Sequence, residues 1–508
     1  MISWTPQQLD FYDELQNSNA SILLDACAGS GKTTTLTEGV KYLNGSILAI
    51  AFNVRIKKTL ESKIGTSATC KTLNGLGHGA MLSLLGRRVK IDARKVGKIV
   101  TEITKTLEVE DSDGEIWSAV VKLVTRAKHH GIVPNGTKGL YISLIPDNPE
   151  EWEQLAAHYD IIFDDEILSL SRESLRVSNS LVWEGVCDFD DQVYIPITFG
   201  APFKKFDNII VDEAQDLSGI QHKMIKKSLK KDGRLIAVGD KNQAIYGWRG
   251  AMSNSISRLV ESFDLKTMEL TVSFRCARAI VMEAKTIVPR IEAHHDAPDG
   301  SVTSLESNSS VLFQPGSVVL CRNNSPLIRL AYRLIAKHKG VYVVGRDIGA
   351  GLKALVKQLQ KRQAIGTKEQ LLSALERWRS EETEKAKAKE QWHKVSSVED
   401  KADSLYVVVT YGNAKTVKGI IEEIDVLFSK ESAPITLSTV HKAKGLEWDK
   451  VFFLDQHLIP SRWSCKAAEK DPQRYSWMLE EESNIRYVAI TRAKQSLTYI
   501  STKGWSDD

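Results

Sequence analysis

The chain has 508 residues, with 68 Lys and Arg against 64 Asp and Glu, a formal net charge of +4. Hydrophobic residues make up 42% and charged residues 26%, which excludes a fibrous, collagen-like or wholly disordered chain. The near balance of charge excludes a histone-like polybasic binder, yet leaves room for a nucleic-acid enzyme with a local basic groove. The length leads to an expectation of about three domains. Cys27, Cys70, Cys187, Cys276, Cys321 and Cys465 form no C-x-x-C pair, so neither a zinc ribbon nor an iron–sulfur cluster is signalled, and scattered cysteines fit a reducing compartment. No apolar run approaches the ~20 residues that span a bilayer. Met1 to Asp10 lacks the order of a signal peptide. The expectation is a soluble cytoplasmic protein without a membrane partner, bacterial or phage-encoded.

In chain order, Ser21 to Asp25 reads as a short apolar strand, Ala26 to Gly31 as a loop of small residues, and Thr33 to Leu43 as a helix. Ile47 to Phe52 is a second buried strand, followed by a helix from Val54 to Lys63. That is βαβ grammar for a parallel sheet. Apolar strands recur at Asn208 to Val211, Leu235 to Val238, Ser317 to Leu320, Val341 to Val344, Ile435 to Ser438 and Val451 to Leu454. Two α/β halves joined near residue 263 are expected. Residues 79–185 break the grammar with a mainly helical pattern, punctuated at Gly131–Gly136 and Pro146–Pro149. Residues 346–434 do the same. There Thr367 to Lys389 places Leu371, Leu375 and Trp378 on one face. Its tail, Glu381 to Glu390, reads as a solvated helix supported by pairs such as Glu381–Lys385.

Three stretches carry chemistry. Ala26-Cys27-Ala28-Gly29-Ser30-Gly31-Lys32-Thr33 follows a strand and opens a helix. It matches G-x-x-x-x-G-K-[ST] except that Ala26 takes the first Gly position. Small residues let backbone N–H groups approach phosphates, and the helix N-terminus adds its positive end. Lys32 would neutralise the β- and γ-phosphates, and Thr33 would ligate Mg²⁺. Asn208 to Asp216 is an apolar strand ending in acids. Asp212 at its end can hold Mg²⁺, and Glu213 can take a proton from the attacking water. Val238 to Ala251 then joins a γ-phosphate sensor, Gln243, to the aromatic and cationic Tyr246, Trp248 and Arg249. Base–aromatic stacking is worth ~1–3 kcal/mol per base and tolerates any sequence, so one loop offers a nucleotide sensor and a base platform together.

From these motifs the sequence resembles the UvrD/Rep/PcrA-like branch of superfamily 1 helicases, over nearly the whole chain. Thr5-Pro6-Gln7-Gln8 resembles the adenine-reading Q motif, with Gln8 in the reading position. Phe52 and Asn53 fall in the strand-end motif that touches single-stranded DNA, and Thr72 in the next. Leu270 to Arg275 resembles L-x-x-N-Y-R, which implies that Phe274 stacks on adenine and Arg275 is an arginine finger. Val319 to Asn324 matches a second-core strand. Thr439 to Trp448 matches the motif joining DNA to ribose, with Thr439 and His441 facing DNA and Glu447 the nucleotide. Tyr487 to Lys494 matches the last motif, with Arg492 as the second finger. Asn484-Ile485-Arg486-Tyr487 and Ala51-Phe52-Asn53 lean towards the F-box DNA helicase subgroup, although no F-box is present.

The resemblance implies an α/β fold with two RecA-like P-loop cores, each carrying a mainly helical insertion. The expected boundaries are 1–78 and 186–262 for the first core, 79–185 for its insert, 263–345 and 435–508 for the second core, and 346–434 for its short insert. Ala28, Gly29, Ser30, Gly31, Lys32, Thr33 and Thr34 would bind ATP with Mg²⁺. The implied activity is ATP-driven 3′→5′ movement on single-stranded DNA and its junctions with duplex, by a monomer. Two other readings are a translocase that mainly strips proteins from single strands and a nucleotide-switched scaffold that does not move. Departures from the family pattern are Thr34 in place of an Arg near the base, Leu73-Asn74 in place of Phe-His, and Cys27 in place of a Gly. The last predicts an ATPase sensitive to thiol alkylation. The second insert also reads as short, and the chain ends soon after Arg492.

Overall fold

The structure is a computed structural model and describes residues 3–51, 54–111, 114–159, 161–245, 255–305, 313–429 and 433–503. The chain forms two compact units, one of residues 1–27 and 31–270 and one of residues 28–30 and 271–508.

The first unit begins with the helix Pro6–Asn17. Thr5 caps it: its hydroxyl accepts from Gln8 N at 3.3 Å while Gln8 Oε1 accepts from Thr5 N at 2.9 Å, and Pro6 opens the first turn where its missing N–H costs nothing. The strands that follow are β1 (Ile22–Ala26), β2 (Ile47–Ala51), β3 (Thr69–Thr72), β4 (Lys90–Ile91), β5 (Val186–Cys187), β6 (Phe206–Val211), β7 (Leu229–Gly239) and β8 (Lys266–Leu270). Six of them form one parallel sheet in the order β3-β2-β6-β7-β1-β8. Alternate residues of its central strands face two apolar layers. Leu23, Leu48, Ile209 and Leu235 join one, and Leu24, Ala49, Ile210 and Ile236 join the other. Burial on both faces explains why these strands read as unbroken apolar runs.

The helices Lys95–Thr106, Glu115–His130, Pro149–His158 and Asp165–Trp183 occupy the stretch between β4 and β5, and their Val120, Leu123, Trp152 and Leu175 extend the first of those layers. A buried charge network runs through this region. Lys95 Nζ lies 2.7 Å from Asp191 Oδ2, and Lys128 Nζ lies 2.6 Å from Asp188 Oδ2 and 2.7 Å from Asp191 Oδ1. Burial pushes the Asp188 carboxyl up. Burial acts the same way on Asp191, but the charges of Lys128 and Lys95 outweigh it and hold that carboxyl low.

In the second unit, β9 (Val272–Ser273) pairs with β10 (Glu292–Ala293). The main sheet holds β11 (Ser301–Leu305), β12 (Val318–Cys321), β13 (Val341–Val343), β14 (Ile435–Thr439), β15 (Trp448–Leu454) and β16 (Ala493–Ile500), all parallel in the order β11-β16-β15-β12-β14-β13. The helices Arg346–Arg362, Lys368–Ala388, Trp392–Tyr411 and Val417–Ser429 separate β13 from β14. Asp400, from the third of these, caps the helix Asn324–Ala336: Asn324 N and Ser325 N donate to its Oδ1 at 3.0 and 3.1 Å. The fold is therefore α/β with two parallel-sheet cores and helical insertions.

Two sequence expectations need correction. The tail after Glu381 is not wholly solvated, because Glu382, Thr383 and Ala386 are buried, and Glu382 pairs with Lys385 at 3.2 Å. Glu381 pairs with Arg362 at 3.5 Å rather than with Lys385. The edge strands β3, β8 and β11 went unread because most of their side chains are not buried, which removes the apolar run that marks a central strand. Of the described residues, no helix is long and apolar enough to cross a membrane.

Candidate nucleotide and nucleic-acid site

Parallel pairing places the C-terminal ends of β1, β6 and β7 on one edge of the first sheet, where α/β proteins bind ligands. β1 leads into the phosphate loop, and the helix Lys32–Gly39 begins just after Gly31. Gly29 and Gly31 adopt φ of +75° and +79°, the left-handed region where a side chain is strained. Lys32 Nζ donates to Cys27 O at 2.9 Å and lies 3.5 Å from Asp240 Oδ2, just after β7. Thr33 Oγ1 donates to Asp212 Oδ2, just after β6, at 2.8 Å. The two expected metal ligands, 179 positions apart in sequence, are thus in direct contact.

The acids sit in a polar lattice. Glu213 N donates to Asp212 Oδ1 at 3.0 Å, and Gln215 Nε2 donates to Glu213 Oε2 at 2.6 Å. Gln215 Oε1 accepts from Asp240 N at 3.1 Å, and Gln243 Nε2 donates to Asp240 Oδ2 at 2.7 Å. Glu213 itself has φ of +57°, a strained backbone of the kind found at functional sites. Burial, then the Glu213 carboxylate, push the Asp212 carboxyl up to about 6, against the pull of the Thr33 hydroxyl and the Lys32 ammonium. A hydroxyl and a buried carboxylate form an all-oxygen donor pair that suits a hard divalent cation. The loop fits a phosphate as well, since the Ser30 hydroxyl is buried with no hydrogen-bond partner.

Gln8 is buried, and both halves of its amide are engaged: Oε1 in the helix cap and Nε2 as donor to Thr35 Oγ1 at 2.7 Å. Thr34 is half-buried on the first turn, its carbonyl accepting from Thr37 Oγ1 at 3.0 Å. Cys27 is fully buried and its N–H donates to Leu270 O at 2.9 Å, so the thiol is shielded from an alkylating reagent. Thr72 caps the helix Leu73–Leu85 by accepting from Gly75 N at 3.1 Å. Near it, Asn74 Nδ2 donates to Phe189 O at 2.7 Å. Phe189 is half exposed next to the buried Asp188, a feature the sequence reading passed over. An aromatic inside an acidic run, Asp188-Phe189-Asp190-Asp191, was the available signal.

Residues 28–30 cluster with the second unit. There Phe274 N donates to Gly29 O and Ala28 N donates to Tyr487 Oη, each at 2.9 Å. Phe274 is exposed, its ring 4.8 Å from that of His294. Arg275 Nε lies 2.5 Å from Glu447 Oε2, and Lys494 Nζ lies 3.3 Å from Glu447 Oε1. Burial opposes ionisation of Glu447, but the charges of Arg275 and Lys494 hold its carboxyl low. Arg492 is 1% exposed, with Nε donating to Val488 O at 3.2 Å and Nη1 to Leu446 O at 3.0 Å. Thr439 caps the short helix Val440–Ala443, which carries His441 half-buried. Phe52, Asn53, Tyr246, Trp248 and Arg249 lie outside the described residues.

Residues 4–264 match the UvrD/REP helicase N-terminal domain family, and residues 348–504 match the UvrD-like helicase C-terminal domain family. The chain is similar to F-box DNA helicase protein 1 of Schizosaccharomyces pombe, with 26% identity over 95% of this chain and 55% of the relative. It is also similar to ATP-dependent DNA helicase PcrA of Bacillus subtilis, with 25% identity over 54% of this chain and 38% of that protein. A probable DNA helicase II homolog of Rickettsia felis is 21% identical over 95% of this chain and 90% of its own length. The chain thus spans about half, or less, of several of the relatives it matches. With the N-terminal family alone covering more than half of its residues, the chain belongs to the UvrD-like DNA helicase family.

Proposed function

We propose that the protein is an ATP-dependent 3′→5′ single-stranded DNA translocase and helicase. The observation that carries this reading is the meeting of Lys32, Thr33, Asp212, Glu213 and Gln243 along one sheet edge. Lys32 and the loop amides hold the β- and γ-phosphates. Thr33 and Asp212 would hold Mg²⁺, which supplies charge neutralisation at the phosphates. Glu213, beside Asp212, accepts the proton of the attacking water. Gln243, bonded to Asp240 and through it close to Lys32, senses the γ-phosphate. Arg275 and Arg492 serve as arginine fingers, which are worth about 10³–10⁵ in rate where measured. To do so, Arg275 leaves Glu447 and Arg492 gives up its backbone carbonyls.

Gln8 and Phe274 would hold the adenine and Glu447 the ribose. Thr72, Thr439 and His441, with Phe52, Asn53, Tyr246, Trp248 and Arg249, would track the strand. The proposed domains are the two cores and two inserts with the boundaries given above, acting as a monomer on single strands and their junctions with duplex. The test is strand displacement on 3′-tailed and 5′-tailed duplexes of DNA and of RNA, alongside DNA-stimulated ATP turnover. Unwinding of the 3′-tailed DNA alone supports the reading. ATP turnover with displacement of bound protein but no unwinding favours a protein-stripping translocase, and absence of DNA-stimulated turnover defeats both motors.

A further inference from the structure

The loop that follows β10 presents three side chains in a row that are able to ligate a metal, His294, His295 and Asp296. One ring nitrogen of each histidine and one carboxylate oxygen lie within 4.8 Å of one another, the one such trio of His, Cys, Asp or Glu among the described residues. None of the helicase motifs contains them. The ring of His294 packs on that of Phe274, with 4.8 Å between centroids.

The backbone beneath the trio is held in place. His294 N donates to Ser273 O at 3.1 Å, which extends the pairing of β9 with β10 by one residue. Ala297 N donates to His294 O at 2.9 Å and closes a four-residue turn around the cluster. Arg278, on the helix Arg278–Lys285, donates Nη2 to His295 O at 2.6 Å. A cation that binds here therefore pays little to order the loop.

The donors are also accessible and close together. The His295 and Asp296 side chains are 76% and 77% exposed, and His294 is half-buried. His295 Nε2 lies 3.1 Å and His294 Nδ1 lies 3.9 Å from Asp296 Oδ2. Two donors each about 2.1 Å from one ion stand about 3.4 Å apart at the tetrahedral angle, a spacing between those two distances. His294 Nδ1 accepts from Asp296 N at 3.3 Å, so that nitrogen carries the lone pair a metal needs. The bond is longer than the usual ~2.7–3.2 Å, so a metal that takes its place displaces little.

Hard cations such as Mg²⁺ favour all-oxygen ligand sets, whereas imidazole suits zinc and its first-row neighbours. Two imidazoles and one carboxylate form a three-ligand set that zinc completes with water. We propose that His294, His295 and Asp296 form a zinc site with a solvent-open fourth position, built from residues other than the proposed magnesium ligands Thr33 and Asp212. Occupancy needs neither ATP nor DNA, so the site is independent of the proposed motor.

The experiment uses the full chain, stripped of metal with a chelator and dialysed, without nucleotide and with millimolar Mg²⁺ throughout. Zinc chloride is the probe for titration calorimetry, and Co²⁺ reports the ligand geometry through its visible absorption. Wild type should bind one zinc per chain in a saturable step, with a dissociation constant on the order of micromolar, and zinc should displace the absorbing Co²⁺. His295→Ala and Asp296→Asn change exposed side chains, so both proteins should melt as wild type does, and each should bind zinc about tenfold or more weakly. His338→Asn, which removes an exposed imidazole elsewhere in the same unit, should change nothing. The proposal is overturned if zinc binding does not saturate below millimolar concentration or if Mg²⁺ abolishes it. It is equally overturned if either cluster variant, folded by its melting, binds zinc as wild type does; for Asp296→Asn that result would leave only a pair of surface histidines.

Discussion

Replacing Lys128 by Met keeps the aliphatic length of the side chain and removes only the ammonium. That ammonium has no exposed surface and contacts Asp188 at 2.6 Å and Asp191 at 2.7 Å. Asp191 would keep Lys95 at 2.7 Å. Asp188 would keep only a backbone donor, Asp191 N at 2.8 Å, and its charge would be stranded. Removing one partner of a buried pair costs about 3–5 kcal/mol, a large share of a typical stability of about 5–15 kcal/mol. At about 2–4 °C per kcal/mol for a unit of this size, the first unit should melt about 6–20 °C lower. The loss should also depend on pH. Burial already raises the Asp188 carboxyl, and Lys128 is the main group pulling it back. Without Lys128 it rises further above the unfolded value of about 4, so the folded variant binds a proton that the unfolded chain does not. Protonated Asp188 strands no charge, so the deficit is small at low pH and grows as pH climbs through the folded value. Urea unfolding is followed by tryptophan fluorescence, to which the buried Trp152 of this region contributes as one of 11 tryptophans. The loss should be greater near pH 8 than near pH 5, and Asp188→Asn added to Lys128→Met should recover much of it. A loss under about 1 kcal/mol near pH 8, or equal losses at both pH values, would refute the reasoning.

Lys32→Ala should lower DNA-stimulated phosphate release by about 10²-fold or more while fluorescence anisotropy shows single-strand affinity unchanged; loss of both would mean that Lys32 also shapes the DNA surface. Gln8→Glu keeps an acceptor for Thr5 N but removes the donor to Thr35, so the protein should stay folded and discriminate ATP from GTP less well in turnover assays. Equal discrimination would remove Gln8 from the adenine site. Burial, then the charge of Arg258, push the His222 imidazole down to about 4, so its stabilisation is complete above pH ~6.5 and is lost as pH falls towards ~4, up to about 3 kcal/mol. His222→Gln should flatten that acid limb of stability, and an unchanged limb would point to other groups. Cys27, fully buried, should resist maleimide in the native protein and react on unfolding, which mass spectrometry of the labelled peptide would show; rapid native labelling would restore the alkylation-sensitive reading.

The phosphate loop was legible because its parts are consecutive: a buried strand, small residues, then a helix whose first two residues are Lys32 and Thr33. The central strands other than β16 were legible for a related reason, since burial on both faces writes an apolar run into the chain; after Ala493, β16 continues with Lys494, Gln495 and Ser496, none of them buried, and has no such run. The edge strands β3, β8 and β11 carry no such mark, whereas the buried edge strand β13 does. β8 leaves Lys266, Thr267 and Glu269 exposed and buries only Leu270, so its side chains read like those of a loop although its backbone is fully paired with β1.

Charge was the least legible property, because the same residue type means opposite things at the surface and in the interior. Lys95 and Lys128 sit in helical patterns that resemble solvated faces, yet both are buried. Their counter-charges, Asp188 and Asp191, lie 60 or more positions downstream, beyond any local window. The tail after Glu381 shows the converse. Its composition is that of an exposed helix, but Ala386 packs beside Val395 and Trp463, so one face is covered by segments the local sequence does not announce. The reverse ambiguity touches the motifs themselves. Gln8 satisfies the adenine-reading pattern and, with the same atoms, caps its own helix and binds Thr35. A motif names a residue that can make a contact, whereas the fold decides which contact it makes before the ligand arrives. Arg275, held by Glu447, and Arg492, held by Val488 and Leu446, would have to break bonds the sequence could not show before acting as the proposed arginine fingers.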